Sequence, residues 1–264
     1  MAAPTPHSIM VVDIEGFGKR SNPVQSSLRD SMYEVVRNAF ADAHLSWTDV
    51  HPQDRGDGIL MLLPPSTSIV ALAGELVRAL DAGLREKAKI FTATHAMRFR
   101  VALHQGLCQR DSNGWVGEAI NTASRLVDAQ VLRDALAAAP TAVLAFAVSD
   151  EIYRGVIRHD YRFVDSSTFG PAVLNVKELR QERVWIQVPG YPYPPGLPDE
   201  ASADEVPSGD SQARSASSEG RHVARPDPFP RVEQSGGFFF HGSDVRVTGD
   251  QVAGDKHVRG RREL

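Results

Sequence analysis

A single cysteine, Cys108, is all the thiol chemistry in this 264-residue chain. One cysteine allows neither an intramolecular disulfide nor a cysteine-rich zinc site. Aromatic residues make up only 7% of the chain. No apolar stretch reaches the roughly 18–20 residues that cross a bilayer, so no membrane partner is expected. A dominant charge is missing too: 29 basic residues face 33 acidic ones, for a net charge of −4. That balance gives no reason to expect nucleic acid as a partner, and the basic run Arg259-Gly260-Arg261-Arg262 is too short to alter it. Residues 1–12 lack a basic segment followed by a long apolar core, so no signal peptide is expected and the cytoplasm is the expected location. What is present, 42% hydrophobic and 23% charged residues, is the composition of a soluble globular protein.

The composition shifts near Val188. Before it, apolar runs alternate with helical patterns; after it come Pro189-Gly190-Tyr191-Pro192-Tyr193-Pro194-Pro195 and a stretch rich in Ser, Ala, Asp and Glu. Such a segment buries too little apolar surface to offset its ordering entropy, so 189–230 reads as a disordered linker and 5–188 as the folded domain. Within the domain, 8–13, 58–63, 98–106 and 142–148 read as strands, and 25–43, 69–89, 119–138 and 151–158 as helices. The segments 173–179 and 183–188 read as a closing hairpin. Alternating strands and helices with a hairpin present predict a mixed α/β sandwich. In residues 231–264 a Phe238-Phe239-Phe240 triplet precedes Gly249-Asp250 and Gly254-Asp255, a Gly-Asp repeat with valines between. This reads as a short β tail, too small to hold a core alone. It is either a partly ordered end or a docking or oligomerisation element for an unknown partner.

The chemistry concentrates in two acidic stretches, Val11-Val12-Asp13-Ile14-Glu15-Gly16-Phe17-Gly18 and Arg55-Gly56-Asp57-Gly58-Ile59-Leu60. Each sets an aspartate at the edge of an apolar run and follows it with glycine. Two hard carboxylates brought together can hold Mg²⁺ against a triphosphate, since that ion takes one or two carboxylates plus phosphate oxygens. Taken singly, each aspartate equally suits a turn or a helix cap. A third stretch, 117–126, starts a helix after Gly117 and puts Asn121 and Arg125 four residues apart on one face. An amide and a guanidinium there suit charge developing on ribose and phosphate.

The order of these motifs resembles the class III nucleotidyl cyclase catalytic domain, the adenylate and guanylate cyclase family. The matching pieces are Val-Asp-Ile-Glu-Gly-Phe at 12–17, Gly-Asp-Gly at 56–58, Arg100-Val101-Ala102-Leu103-His104-Gln105-Gly106, and Gly117 through Leu126, covering about 8–188. The resemblance implies a ferredoxin-like, palm-type domain with a mixed, largely antiparallel sheet and flanking helices. It implies that a nucleoside triphosphate becomes a 3′,5′-cyclic nucleotide and pyrophosphate with two Mg²⁺ or Mn²⁺ per site. Asp13 and Asp57 would be the metal carboxylates, with the Ile14 carbonyl as an extra ligand. Gly16, Phe17 and Gly18 would wrap phosphates, Asn121 orient the ribose, and Arg125 stabilise the transition state. Lys177 sits near the family's triphosphate lysine, without the glycines that usually follow it. Because the family builds its sites between two catalytic domains, a head-to-tail homodimer is implied.

The chain departs from the family where the base is read. Purine-reading members carry a lysine four residues before the second metal aspartate and an aspartate seven before the asparagine; here those positions hold Gln53 and Gly114. The guanine-reading Glu/Cys pair is absent as well. The base therefore stays open, and a pyrimidine is among the candidates, since some bacterial members make cyclic UMP or cyclic CMP as antiphage signals. The alternative reading is a non-catalytic cyclase-homology module that binds a nucleotide or a partner and dimerises. His104, on an alternating strand, reads as a packed core histidine. Trp47, Trp115 and Trp185 read as packing residues, and Trp115 is also placed to border the base position because it adjoins Gly114.

Overall fold

The computed structural model describes residues 3–176 and 179–197. Lys177, the rest of the expected linker and the Gly-Asp tail lie outside the described residues. The sheet is built from β1 (Thr5–Ile14), β2 (His51–Asp54), β3 (Gly58–Leu63), β4 (Phe99–Asp111), β6 (Leu144–Ser149), β7 (Phe169–Val176) and β8 (Leu179–Gln187), with β5 (Gly114–Val116) paired to β4 alone. The strand order is β2-β3-β1-β4-β6-β8-β7. Every pairing is antiparallel except β4 with β6. That parallel pair needs a crossover, which two helices supply, α4 (Glu118–Val127) and α5 (Gln130–Ala137). The mixed, largely antiparallel sheet is the expected one.

The sheet is covered on both faces, which is why its central strands read as continuous apolar runs. Alternation along each strand sorts the side chains into two cores. Met10, Val12, Ile59, Met61, Phe99, Val101 and Phe146 face α1 (Asn22–Asp42) and α3 (Glu75–Ile90). Ile9, Val11, Leu60, Leu62, Ala102, Ala145 and Ala147 face α4 and α5. Helix α1 starts with proline in its first turn, where the missing N–H costs nothing, and buries Leu28, Met32, Val35, Val36, Ala39 and Phe40.

Two expected helices are each divided. The 69–89 helix is α2 (Ile69–Ala73) followed by α3, broken at Gly74, where an added Cβ would sit 3.3 Å from Phe163 and Val164. Likewise 119–138 is α4 and α5, separated by an extended Ala129 that re-aims Leu132, Ala135 and Leu136 onto the sheet. In place of 151–158 stands a shorter helix, α6 (Asp150–Gly155), followed by a 3₁₀ turn, Ile157–His159. Strands β2 and β5 have no counterpart in the sequence reading, because runs of three or four residues are too short to carry a periodicity. Beyond Val188 the chain still packs on the domain: the Tyr191 hydroxyl lies 2.8 Å from Thr141 Oγ1, and Tyr191 and Leu197 rest on the α4–α5 core.

Candidate functional site

Strand pairing brings the two acidic stretches together. In the β1–β3 register Asp13 stands opposite Gly58, and the Ile14 amide donates to the Asp57 carbonyl at 2.9 Å. Gly58 is required there, since a Cβ would lie 2.3 Å from the Val12 carbonyl oxygen. Gly56, at φ +84°, takes the left-handed conformation that turns the chain between β2 and β3. Asp57 lies exposed in that turn, whereas Asp13 is buried at the end of β1.

Asp13 is paired with Arg100, its register partner on β4. A guanidinium partner ordinarily lowers a carboxyl pKa. Here burial is the larger influence and, with the negative charges of Asp57 and Asp128 acting the same way, holds Asp13 at about 6 despite Arg100. Both side chains of the pair are only 12% exposed, and the Arg100 Nε is buried with no hydrogen-bond partner among the described residues. Asp13 is therefore a desolvated carboxylate beside a second carboxylate, a setting in which a divalent cation relieves the repulsion. Among the described residues no three or more His, Cys, Asp or Glu side chains gather as a cage. The donor set fits Mg²⁺ or Mn²⁺ held by Asp13, Asp57 and a backbone oxygen such as that of Ile14, with substrate oxygens completing the sphere.

Glu15, the other acid of the first stretch, is already committed. Its carboxylate takes two hydrogen bonds from Arg98, at 2.7 and 2.8 Å, and Arg98 also donates to the Leu136 and Ala139 carbonyls. Gly16, at φ +65°, then turns the chain into one 3₁₀ turn, Phe17–Lys19. Positions where a Cβ would stand on Gly16 and Gly18 open onto free space, while Phe17 packs partly on the core.

Asn121 and Arg125 lie on α4, which crosses β1 and β4 on the sheet face opposite α1. Ala119, Ile120, Ala123, Leu126 and Val127 point inward, leaving Asn121 exposed and Arg125 half-buried. The close approach of this helix needs glycine on both sides: a Cβ on Gly106 would be 2.6 Å from Ala119, and one on Gly117 would be 2.7 Å from the Leu107 carbonyl. Asp128, just past the C-terminal end of α4, acts on Asp13. At about 1.5 Å rise per residue, Asn121 is roughly 10 Å back along the axis from Asp128. The structure thus joins Asp13 with Asp57 and carries Asn121 and Arg125 together on a different element, helix α4.

The strands that carry the two expected base positions are apart in the sheet order, yet residues beside those positions meet through side chains. Gln53 is half-buried on the edge strand β2, and Gly114, at φ +134°, opens β5. Trp115 packs on the His7 ring at 4.7 Å and the His51 ring at 5.3 Å. His51 shares a β2 face with Gln53. Neither histidine showed any signal in the sequence, because the contact depends on β5 folding back across the sheet. Arg100 was equally hidden as a partner of Asp13.

His104 is buried, as read. Its Nδ1 shares a 2.8 Å hydrogen bond with Ser149 Oγ and lies 3.8 Å from the Glu151 carboxylate. Burial lowers its pKa, against the opposing pull of Glu151 and Glu118. The unfolded chain, with histidine near the usual ~6.5, therefore takes up the proton first, and stability present above that pH is lost as pH falls through the lowered folded value. Thermal melts of wild type and His104→Asn from pH 7.5 to 5 should show a shallower fall in the variant; equal slopes would contradict this assignment. Cys108 is a buried free thiol whose pKa burial raises. Trp47 packs on Phe40 and Trp185 stacks on Tyr153.

The mixed, largely antiparallel sheet with helices on both faces is a palm-type α/β fold, and it brings Asp13 and Asp57 together. Among solved structures the chain is similar to an adenylate/guanylate cyclase/hydrolase from Silicibacter pomeroyi (TM-score 0.53, 19% identity, 72% of this chain and 100% of that one). It is also similar to the guanylyl cyclase Cya2 (TM-score 0.50, 16% identity, 74% of this chain and 97% of that one). At these identities the likeness establishes the fold. No protein-family model and no curated protein matches the sequence. No helix among the described residues is long and apolar enough to cross a membrane.

Proposed function

We propose that this chain is a nucleotidyl cyclase, converting a nucleoside triphosphate to a 3′,5′-cyclic nucleotide and pyrophosphate at a site shared by two copies. The observation that carries this reading is the convergence of Asp13 and Asp57, pinned by the Ile14–Asp57 backbone bond, on a cyclase-type fold. Divalent cations held there, two per site, supply Lewis-acid charge to the phosphates and the ribose hydroxyl. Asn121 holds the ribose with its 3′ oxygen in line with the α-phosphorus. Arg125 takes up the negative charge that grows as one P–O bond forms and the bond to pyrophosphate breaks. The hydroxyl proton leaves to solvent. The backbone at Gly16, Phe17 and Gly18, with Lys177, serves the triphosphate, and Gln53 with Gly114 and its neighbour Trp115 borders the base.

The resemblance to a family that builds its sites between two catalytic domains supports a head-to-tail homodimer, in which each helix α4 serves its partner's carboxylates. The β4–β5 arm supports it as well. Leu107 and Val116 fall on one face of that arm and are 60% and 55% exposed, an apolar pair suited to a second copy. The other reading, a non-catalytic module, is favoured by Arg100, which already occupies an oxygen of Asp13.

The deciding experiment incubates the dimeric protein with ATP, GTP, CTP or UTP and Mn²⁺ or Mg²⁺ and seeks the cyclic product by mass spectrometry. A cyclic product from at least one triphosphate is expected, and it also identifies the base. No product from any of the four overturns the enzyme reading.

A further inference from the structure

The turn that carries Asp57 contains a second carboxylate, Asp54, whose oxygens are taken up by Gly56, Tyr33 and Arg29. Asp54 closes β2 and sits in the open, with its side chain 39% exposed. Its Oδ1 accepts the Gly56 amide at 2.8 Å, closing the turn on itself and favouring the left-handed conformation of Gly56. Its Oδ2 accepts the Tyr33 hydroxyl at 2.8 Å and the Arg29 guanidinium. Arg29 and Tyr33 are one helical turn apart on α1, so they converge on one acceptor. The Gly56 amide is the largest of the influences holding the Asp54 carboxyl below its usual range.

This clasp spans a gap. A cleft of about 520 Å³, lined by Phe17, Gln25, Arg29, Tyr33 and Gly56, runs between α1 and the turn. On its far side Asp57 is tied through its carbonyl to Ile14. The Asp57 carboxylate thus sits between two anchors, the strand β1 on one side and the Arg29–Tyr33–Asp54 clasp on the other. A short turn with a left-handed glycine has several accessible conformations, and ordering it beforehand lowers the entropy lost when a cation binds.

We propose that Asp54 is a positioning residue for the cation site: clasped by Arg29 and Tyr33, it fixes the β2–β3 turn so that the Asp57 carboxylate faces Asp13. The inference rests on the reading of Asp13 and Asp57 as cation ligands. Of the two acids on the turn, it gives Asp57 to the cation and Asp54 to the scaffold.

The test is a Mn²⁺ titration of the purified full chain without nucleotide, with free ion followed by electron paramagnetic resonance and thermal melts run alongside. Wild type binds Mn²⁺ and Asp57→Ala loses that binding. Asp54→Ala weakens it by about tenfold, the usual cost of removing a residue that orients a metal ligand. Asp54→Asn retains an oxygen for the Gly56 amide and stays within about threefold of wild type. Tyr33→Phe, which removes only one hydroxyl and keeps the fold, weakens binding by about threefold. If Asp54→Ala and Tyr33→Phe bind Mn²⁺ as wild type does while Asp57→Ala fails to bind, the positioning role is wrong and the cation site stands. If Asp57→Ala binds like wild type, the cation site itself is wrong and the positioning role falls with it.

Discussion

Mixing Asp57→Ala protein with Arg125→Ala protein, each inactive alone, should restore about a quarter of the wild-type rate. Asp57 lies in the β2–β3 turn beside Asp13, and Asn121 and Arg125 lie together on α4. If a site takes its carboxylates from one copy and Asn121 with Arg125 from the other, a mixed dimer holds one intact site and one doubly broken site. Random pairing makes about half of the dimers mixed, so about a quarter of all sites work. Each variant alone should lose about 10²–10³-fold in rate, the usual cost of removing a charge that stabilises a transition state. The measurement is cyclic-nucleotide formation after the two dimers are dissociated and reassembled. Inactive single variants with no recovery on mixing would place both residues in one chain's site and refute the shared arrangement.

Gly58→Ala should be the most damaging single-methyl change near the site. The added carbon would meet the Val12 carbonyl oxygen at 2.3 Å and the Asp13 Cα at 3.3 Å, backbone atoms of a central strand that cannot swing aside. Relief requires β3 to move from β1, which loosens the ladder beside the Ile14–Asp57 bond. The expected loss is roughly 3 kcal/mol, near the upper end for overpacking. For a domain of this size that lowers the melting temperature by about 6–12 °C. Mn²⁺ binding should weaken with it, because Asp13 and Asp57 are the residues displaced. Gly18→Ala is the control: nothing lies within 4 Å of its Cβ position, and it should change stability by less than about 1 kcal/mol. A melting temperature within about 2 °C of wild type for Gly58→Ala would show that β1 and β3 are not so closely apposed.

Gly58 stands beside Asp57 in a Gly-Asp-Gly motif that is plain in the sequence, but its reason, the Val12 carbonyl, belongs to a strand more than forty residues earlier. The long helices were legible because each buries a periodic face, and the buried strands because each is a continuous apolar run. The breaks at Gly74 and Ala129 were not, since both depend on what packs against the helix from outside. Strand β5 is three residues of Gly-Trp-Val and becomes a strand only by pairing with the end of β4.

The sequence by itself determined the alternation of elements and the presence of two acidic stretches followed by a helix bearing Asn121 and Arg125. These are local properties, set by the spacing of apolar side chains and by glycine beside carboxylate. Only the tertiary structure decided that Asp13 faces Arg100, that Glu15 is held by Arg98, that Asp54 is clasped while Asp57 is not, and that Trp115 reaches His51. Each of those depends on register between segments distant in the chain. Shifting a strand by one residue would send the same side chains to the other face, and nothing within a single segment records which neighbour it will meet.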